Sequence, residues 1–248
     1  MKISTIKDND ILFKVGSFFF WIFIWEIIYI IVNNEILIVS PLEVLLRLKA
    51  LVLEKTFWEI ILLSLLRIMG GFIIGIFIGS ILCILQSKFL LIKYLISPVI
   101  SILRASPVIS FIIILLVFVR SQYLPTLISF IIVLPIVFTN LNEGILKIDK
   151  KLIEMSNVYK IKPFYKLVKI YIPSIIPYFR SACINSIGFS FKAGISAEVI
   201  ANTKMSIGGE LYNSRIYMDT LDLFSWTVVI IIISMIIEQI VVKLINSN

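Results

Sequence analysis

Six ionisable side chains stand within or beside long apolar runs: Glu26, Arg67, Arg104, Arg180, Lys192 and Glu238. An unpaired charge at the centre of a bilayer costs about 2.5–3.5 kcal/mol on insertion scales, so such groups take partners or face a polar pathway. The chemistry open to them is electrostatic. The chain has no histidine, which removes the commonest metal ligand and a ready general base. Its acids are scattered, without the paired carboxylates that a membrane enzyme would use. Cys83 and Cys183 lie far apart in apolar surroundings and read as small hydrophobes. No Gly-x-x-x-x-Gly-Lys-Ser/Thr phosphate cradle occurs, so energy from ATP would have to come from another subunit, and the chain is not expected to be an enzyme.

The elements that position these charges follow from composition. The 248 residues are 60% hydrophobic with a mean hydropathy of +1.06, whereas soluble domains are about 45–50% apolar. Lipid is the solvent that fits, and a span needs about 20 apolar residues. Six runs qualify: Ile11–Val32, Ile60–Leu85, Pro98–Val119, Leu124–Asn140, Ser174–Ala193 and Phe224–Ile245. The expected fold is an all-α, polytopic membrane helical bundle. Residues 1–58 are read as an N-terminal span with its connecting segment, and 59–248 as a core domain containing a lysine-rich loop, 144–172. The first run lacks a small-residue cleavage pattern and is read as a retained span.

Lys and Arg in the loops set the orientation. With a cytoplasmic N-terminus, the inner segments carry thirteen lysines: Lys2, Lys7, Lys14, Lys88, Lys93, Lys147, Lys150, Lys151, Lys160, Lys162, Lys166, Lys169 and Lys243. The outer segments carry six basic residues: Arg47, Lys49, Lys55, Arg120, Lys204 and Arg215. The net charge of +8 therefore reports topology and not nucleic acid. Both termini are expected in the cytoplasm, with Trp58 and Trp226 at the outer ends of their spans. Gly71, Gly75 and Gly79 share one face of the second span and predict a close helix contact. Pro98, Pro107, Pro125 and Pro135 favour kinks in spans three and four.

Depth suggests partners for the buried charges. Glu26 and Arg67 lie six and seven residues from the outer ends of their spans and are expected to pair. Glu238 is expected to pair with Arg180, with Arg104 as a competitor. Lys192, near the outer end of span five, could snorkel, pair with an acid, or face a pathway and attract an anion. Glu198 follows, before the turn-rich Ser206-Ile207-Gly208-Gly209, a stretch suited to lining a mouth or meeting a delivering protein.

The lysine-rich loop holds seven lysines and two acids. Leu152, Ile153, Met155, Val158 and Tyr159 recur at helical spacing. Pro163 interrupts the pattern, and Phe164, Leu167, Val168 and Tyr171 form a second stripe. Two short amphipathic helices joined by a turn are predicted. Glu154-Met155-Ser156, then Lys160, then Ile170-Tyr171-Ile172-Pro173 resembles the EAA loop of ABC importer permeases: Glu-Ala-Ala, a Gly six residues after the Glu, and Ile-x-Leu-Pro ten residues beyond. The acid, the Ile and the Pro stand at the family's spacing. The alanines and the glycine are replaced, and Lys162-Pro163 supplies a break.

The resemblance extends along the chain. Trp25-Glu26, Ser40-Pro41-Leu42-Glu43-Val44, Ser64-Leu65-Leu66-Arg67, Leu103-Arg104-Ala105-Ser106-Pro107 and the run Gly188 to Glu198 each resemble family motifs in order. Together they are similar to the branch importing nitrate, sulfonates, taurine and thiamine precursors. The resemblance implies coupling through Glu154, Met155, Ser156, Lys160, Lys162, Pro163, Ile170 and Pro173 to cytoplasmic ATP-binding subunits, which would hold ATP and Mg while this chain binds no cofactor. It also implies a second permease copy, an extracytoplasmic substrate-binding protein and a multi-pass place in the cell membrane. Arg104, Lys192 and Glu198 are the candidates for pathway or gating. The rival reading is an ion-coupled secondary transporter, which should show inverted repeats and a midplane carboxylate. No convincing repeat is visible, and Glu26 and Glu238 lie off the midplane.

Overall fold

The computed structural model describes residues 4–246. Among the described residues there is no strand, and short connections join eleven α-helices. Five segments are long and apolar enough to cross a membrane: Val15–Val32 within α1 (Ser4–Val32), α3 (Lys55–Lys88), Ser121–Leu146, Pro163–Ile200 and Thr220–Ile245. A sixth exists only as a bent pair. The expected continuous span Pro98–Val119 is instead α4 (Leu90–Ala105) and α5 (Val108–Phe118), bent by 106°. The break falls at Ser106 and Pro107, both with extended backbone. The residue before a proline is pushed out of the helical region, and hydropathy alone cannot register this. Pro98, in contrast, is absorbed inside α4. Pro125 sits in the first turn of α6 (Leu124–Leu146), where no intrahelical N–H is needed.

The chain forms two compact units. One comprises the chain up to Trp58 with Glu210–Val229. Within it, α2 (Pro41–Leu53) starts at a capping box: Ser40 Oγ accepts from Leu42 N (3.2 Å) and Glu43 Oε2 from Ser40 N (3.2 Å). Trp25 Nε1 donates to Val39 O (3.1 Å), and Ser40 Oγ donates to Glu26 Oε2 (3.3 Å). Two sequence motifs, Trp25-Glu26 and Ser40-Pro41, therefore meet in one turn. Arg47 forms a two-pronged pair with Asp222 of α11 (Thr220–Asn246). The bonded carboxylate pushes the guanidinium pKa further up, outweighing the opposing effect of burial. Trp226, expected at a membrane interface, is buried at 3% exposure against Phe57, with ring centroids 5.3 Å apart. Trp58 is exposed.

The other unit comprises Glu59–Gly209 and the chain from Ile230. Its core is α6 packed along α9 (Ile172–Ile200), with α3 against α6. The three glycines of α3 make the contact that their spacing predicts. A methyl group at Gly75 would lie 2.7 Å from Val133 Cβ, and one at Gly79 2.9 Å from Leu134 O. At Gly71 it would collide with the Thr126 carbonyl. Small residues replace the missing hydrophobic drive between helices in lipid. Gly75→Ala is thus expected to cost about 1–3 kcal/mol by overpacking. Gly188→Ala, where nothing lies within 4 Å, should be neutral or slightly stabilising, since Ala exceeds Gly in helix propensity. Thermal melts of both variants in detergent check the contrast.

Helix α9 carries a second small-residue stripe. Ala182, Ser186, Ser190 and Gly194 recur every four residues, all buried, and Glu198 continues the series. Ser129 Oγ of α6 donates to Ser190 O (3.3 Å). A side chain at Gly194 would meet Ile68 and Ser129.

Candidate functional site

The lysine-rich loop folds as a short helix, α7 (Lys150–Val158), a turn, and a helical run that begins with α8 (Pro163–Lys166). Asp149 caps α7, accepting from Lys151 N (2.8 Å). The far end of α7 closes by a Schellman motif: Ile161 N donates to Ser156 O (3.0 Å) and Lys160 N to Asn157 O (3.1 Å). That motif requires a left-handed residue, and Lys160 supplies it at φ 48°. The turn expected of a glycine is therefore made by a lysine, at a cost of roughly 1–2 kcal/mol for an L-residue. Lys166 Nζ donates to Asn157 Oδ1 (2.9 Å), tying the second segment back to α7.

Pro163 takes the first position of α8, after Lys162 as its cap. The second amphipathic helix does not stand apart as predicted. It continues through a π-turn, Leu167–Tyr171, into α9. Pro173 lacks the N–H that would close a regular turn onto residue 169, and widening the ladder is the usual accommodation. Both Ile170, at 8% exposure, and Ser156, at 1%, are buried. Exposed are Glu154, Met155, Val158, Tyr159 and Phe164, the last three at 70–78%.

At the opposite end of α9, Glu198 is fully buried. Its Oε2 accepts from Ser64 Oγ (2.9 Å) and from Gly208 N (3.1 Å). Ser64 Oγ in turn accepts from Ile207 N (2.9 Å). The carboxylate thus sits at the start of α10 (Ile207–Ile216), where free N–H groups and the helix dipole favour an anion. Ser206 Oγ caps Gly209 N (2.9 Å). Arg67 Nη1 lies 3.9 Å from Glu198 Oε1 and donates to Met205 O (3.0 Å). Thr203 Oγ1 donates to Ser121 O (3.1 Å). Side chains at Gly208 or Gly209 would strike Glu198 and the Thr203 carbonyl.

A capped loop helix at one end of the core and a polar knot at the other describe a membrane bundle with a handle. Residues 71–247 match the model of a family described as binding-protein-dependent transport system inner membrane component. The chain belongs to that family. It is also similar to a probable ABC transporter permease protein of Brucella melitensis biotype 1, 22% identical over 210 residues, 84% of each chain. A counterpart from Brucella abortus (strain 2308) is 22% identical over 84% of this chain and 83% of its own.

In the permease, several expected partners differ. Arg67 lies by Glu198 and the Lys204 and Met205 carbonyls, while Glu26 accepts from Ser40. Among the described residues no ion pair joins Glu238 to Arg180 or Arg104: Glu238 lies on an exposed face of α11, and Arg104 is exposed at the end of α4. Glu198 is bound into the fold of the Ser206–Gly209 turn rather than open to a passage. Ser64 and Ser206 were read only as members of their motifs, without this role, and Thr203 was not singled out from the sequence. The four-residue stripe from Ala182 to Glu198 was the available signal.

The left-handed lysine yields a test. Lys160→Gly should relieve about 1 kcal/mol of backbone cost and slow limited chymotrypsin cleavage at Tyr159 or Phe164 about fivefold. Lys160→Val should accelerate it, because a branched side chain tolerates positive φ least.

Proposed function

We propose that this permease forms the solute pathway of an ATP-driven importer and that the α7 loop is gripped by a cytoplasmic ATP-binding subunit. The observation that carries this reading is the loop itself. Its backbone is closed at both ends, yet Met155, Val158, Tyr159 and Phe164 are exposed among lysines. A contiguous exposed apolar patch on a rigid element is the usual mark of a docking face. Family membership supports the same assignment.

The excess of lysines on this side supports a cytoplasmic loop and cytoplasmic termini under the positive-inside rule. The remaining parts follow from the family resemblance. ATP and Mg reside on the partner, this chain binds no cofactor, and an extracytoplasmic binding protein delivers the solute. A second copy completes the pathway, twofold assemblies being commonest. The solute is a small anion, a sulfonate or a vitamin precursor. Glu154, Ser156, Lys160, Lys162, Pro163, Ile170 and Pro173 shape or flank the docking face. Closure of the ATP-binding subunits would move α7, and the helical run from Pro163 to Ile200 would carry that motion to the Glu198 knot.

Uptake by vesicles reconstituted with the permease tests this. Transport should require the ATP-binding subunit and ATP inside, and should persist when ionophores collapse ion gradients. Uptake by the chain alone, driven by a gradient, would replace the importer with a secondary transporter.

A further inference from the structure

Lys192 has no ion-pair or hydrogen-bond partner for its ammonium among the described residues. It stands eight residues before the end of α9, about 12 Å along the axis at about 1.5 Å per residue. With Val108, Ile132, Phe189, Ala193 and Ser196 it lines a hollow of about 230 Å³. The Ser196 hydroxyl donates to the Lys192 carbonyl (2.8 Å), which leaves the ammonium as the charged group of an otherwise apolar wall.

Val108 is the first residue of α5, directly after the 106° break. Pro107, at the cap position, makes no side-chain cap bond. Non-helical backbone at membrane depth is tolerated where it lines a water-filled cavity or is buried in protein. Ala105 and Pro107, on either side of Ser106, are exposed within the chain. The hollow therefore adjoins an exposed break in the helix. Lys192, Phe189 and Ser196 are exposed within the single chain, so the hollow is open and the ammonium reachable; its apolar wall screens a charge less than water does. Sites for drug-sized ligands run from about 300 to 1,000 Å³, so this one suits something smaller.

We propose that the hollow receives the anionic head of the transported solute, a carboxylate or sulfonate on a short apolar body, with Lys192 as its counter-charge. The proposal rests on the permease reading and adds the residue at which the solute's charge is sensed. An anionic lipid head offers the same chemistry. We commit to the soluble anion because the hollow is small and adjoins the helix break.

The test uses the full chain with its ATP-binding partner in vesicles of neutral phosphatidylcholine, with a reporter cysteine at the rim, Ser196→Cys. The rate of its reaction with an uncharged maleimide is measured with added ethanesulfonate or propionate, and with choline as the cationic control. A probe at four times its Kd should slow labelling about fivefold by occupancy. This protection is expected with Lys192 and with Lys192→Arg, and should vanish with Lys192→Gln and with choline. Equal protection in all three backgrounds, protection in none, or slowing that needs anionic lipid instead of the soluble probe would overturn the proposal. Capture of the ATP-binding subunit, measured on the same samples, keeps the two readings apart: capture without protection removes the anion site alone, and loss of capture removes the coupling assignment.

Discussion

Glu198→Ala is expected to lower the melting temperature of the permease in detergent by roughly 5–15 °C. The carboxylate is fully buried and accepts from Ser64 Oγ and Gly208 N. Truncation leaves two donors without an acceptor, at about 1–3 kcal/mol each, and opens a cavity beside Gly208. The loss of about 2–4 kcal/mol converts at about 2–4 °C per kcal/mol for a chain of this size. Glu198→Gln is the informative partner. Its amide oxygen can still accept from both donors, while its NH2 group takes the place of Oε1 beside Arg67. It should recover most of the stability but place two donors face to face. Coincident melts for wild type and Glu198→Ala would remove Glu198 from the account of this turn. The same knot holds the first turn of α10, so Glu198→Ala should also speed proteolysis around Ser206–Gly209.

The second large effect lies at the other end of α9. Val158→Asp is expected to weaken capture of the ATP-binding subunit by at least about 30-fold. Hot-spot residues contribute about 2 kcal/mol or more when truncated, and each 1.4 kcal/mol is tenfold. Val158 is 78% exposed and Tyr159 74%, so neither supports the permease's own core. Substitutions at such positions usually move stability by no more than about 0.5 kcal/mol. The expected pattern is an unchanged melt with lost partner binding, the reverse of Glu198→Ala. Tyr159→Asp should behave alike. If Val158→Asp keeps full capture but releases the loop from vesicles, the apolar face is a membrane-surface contact and not a docking site.

Much of this was legible in the sequence, and the failures have identifiable causes. Hydropathy found the spans because lipid demands long apolar helices. The glycine repeat of α3 gave its contact because a stripe at fixed spacing must lie on one face. The loop's helix and turn were visible in the stripe from Leu152 to Tyr159. The left-handed turn survives with Lys160 in place of glycine because the Schellman bonds of Lys160 and Ile161 offset part of the backbone cost. The break at Ser106–Pro107 was hidden because apolar residues continue on both sides. Depth matching suggested a pairing of Glu26 with Arg67: height follows from the rise per residue, but the groups a side chain meets depend on which neighbours cover its helix, and Glu26 accepts from Ser40. Arg67 instead meets the carbonyls of Lys204 and Met205, backbone groups that no charge count includes. Glu198 was read with the loop that follows it. Its place in the series Ala182, Ser186, Ser190, Gly194 marks it as a buried member of α9.

The most direct measurement is a cross-link from α7. A cysteine placed at the exposed Val158, in the full complex in native membranes, should join to a cysteine scanned across the ATP-binding subunit. The yield should change when ATP is added and disappear after Asp is placed at Tyr159. A cysteine at Val158 that never reaches the ATP-binding subunit, yet reacts with a membrane-impermeant reagent added outside intact cells, would contradict both the orientation and the coupling role.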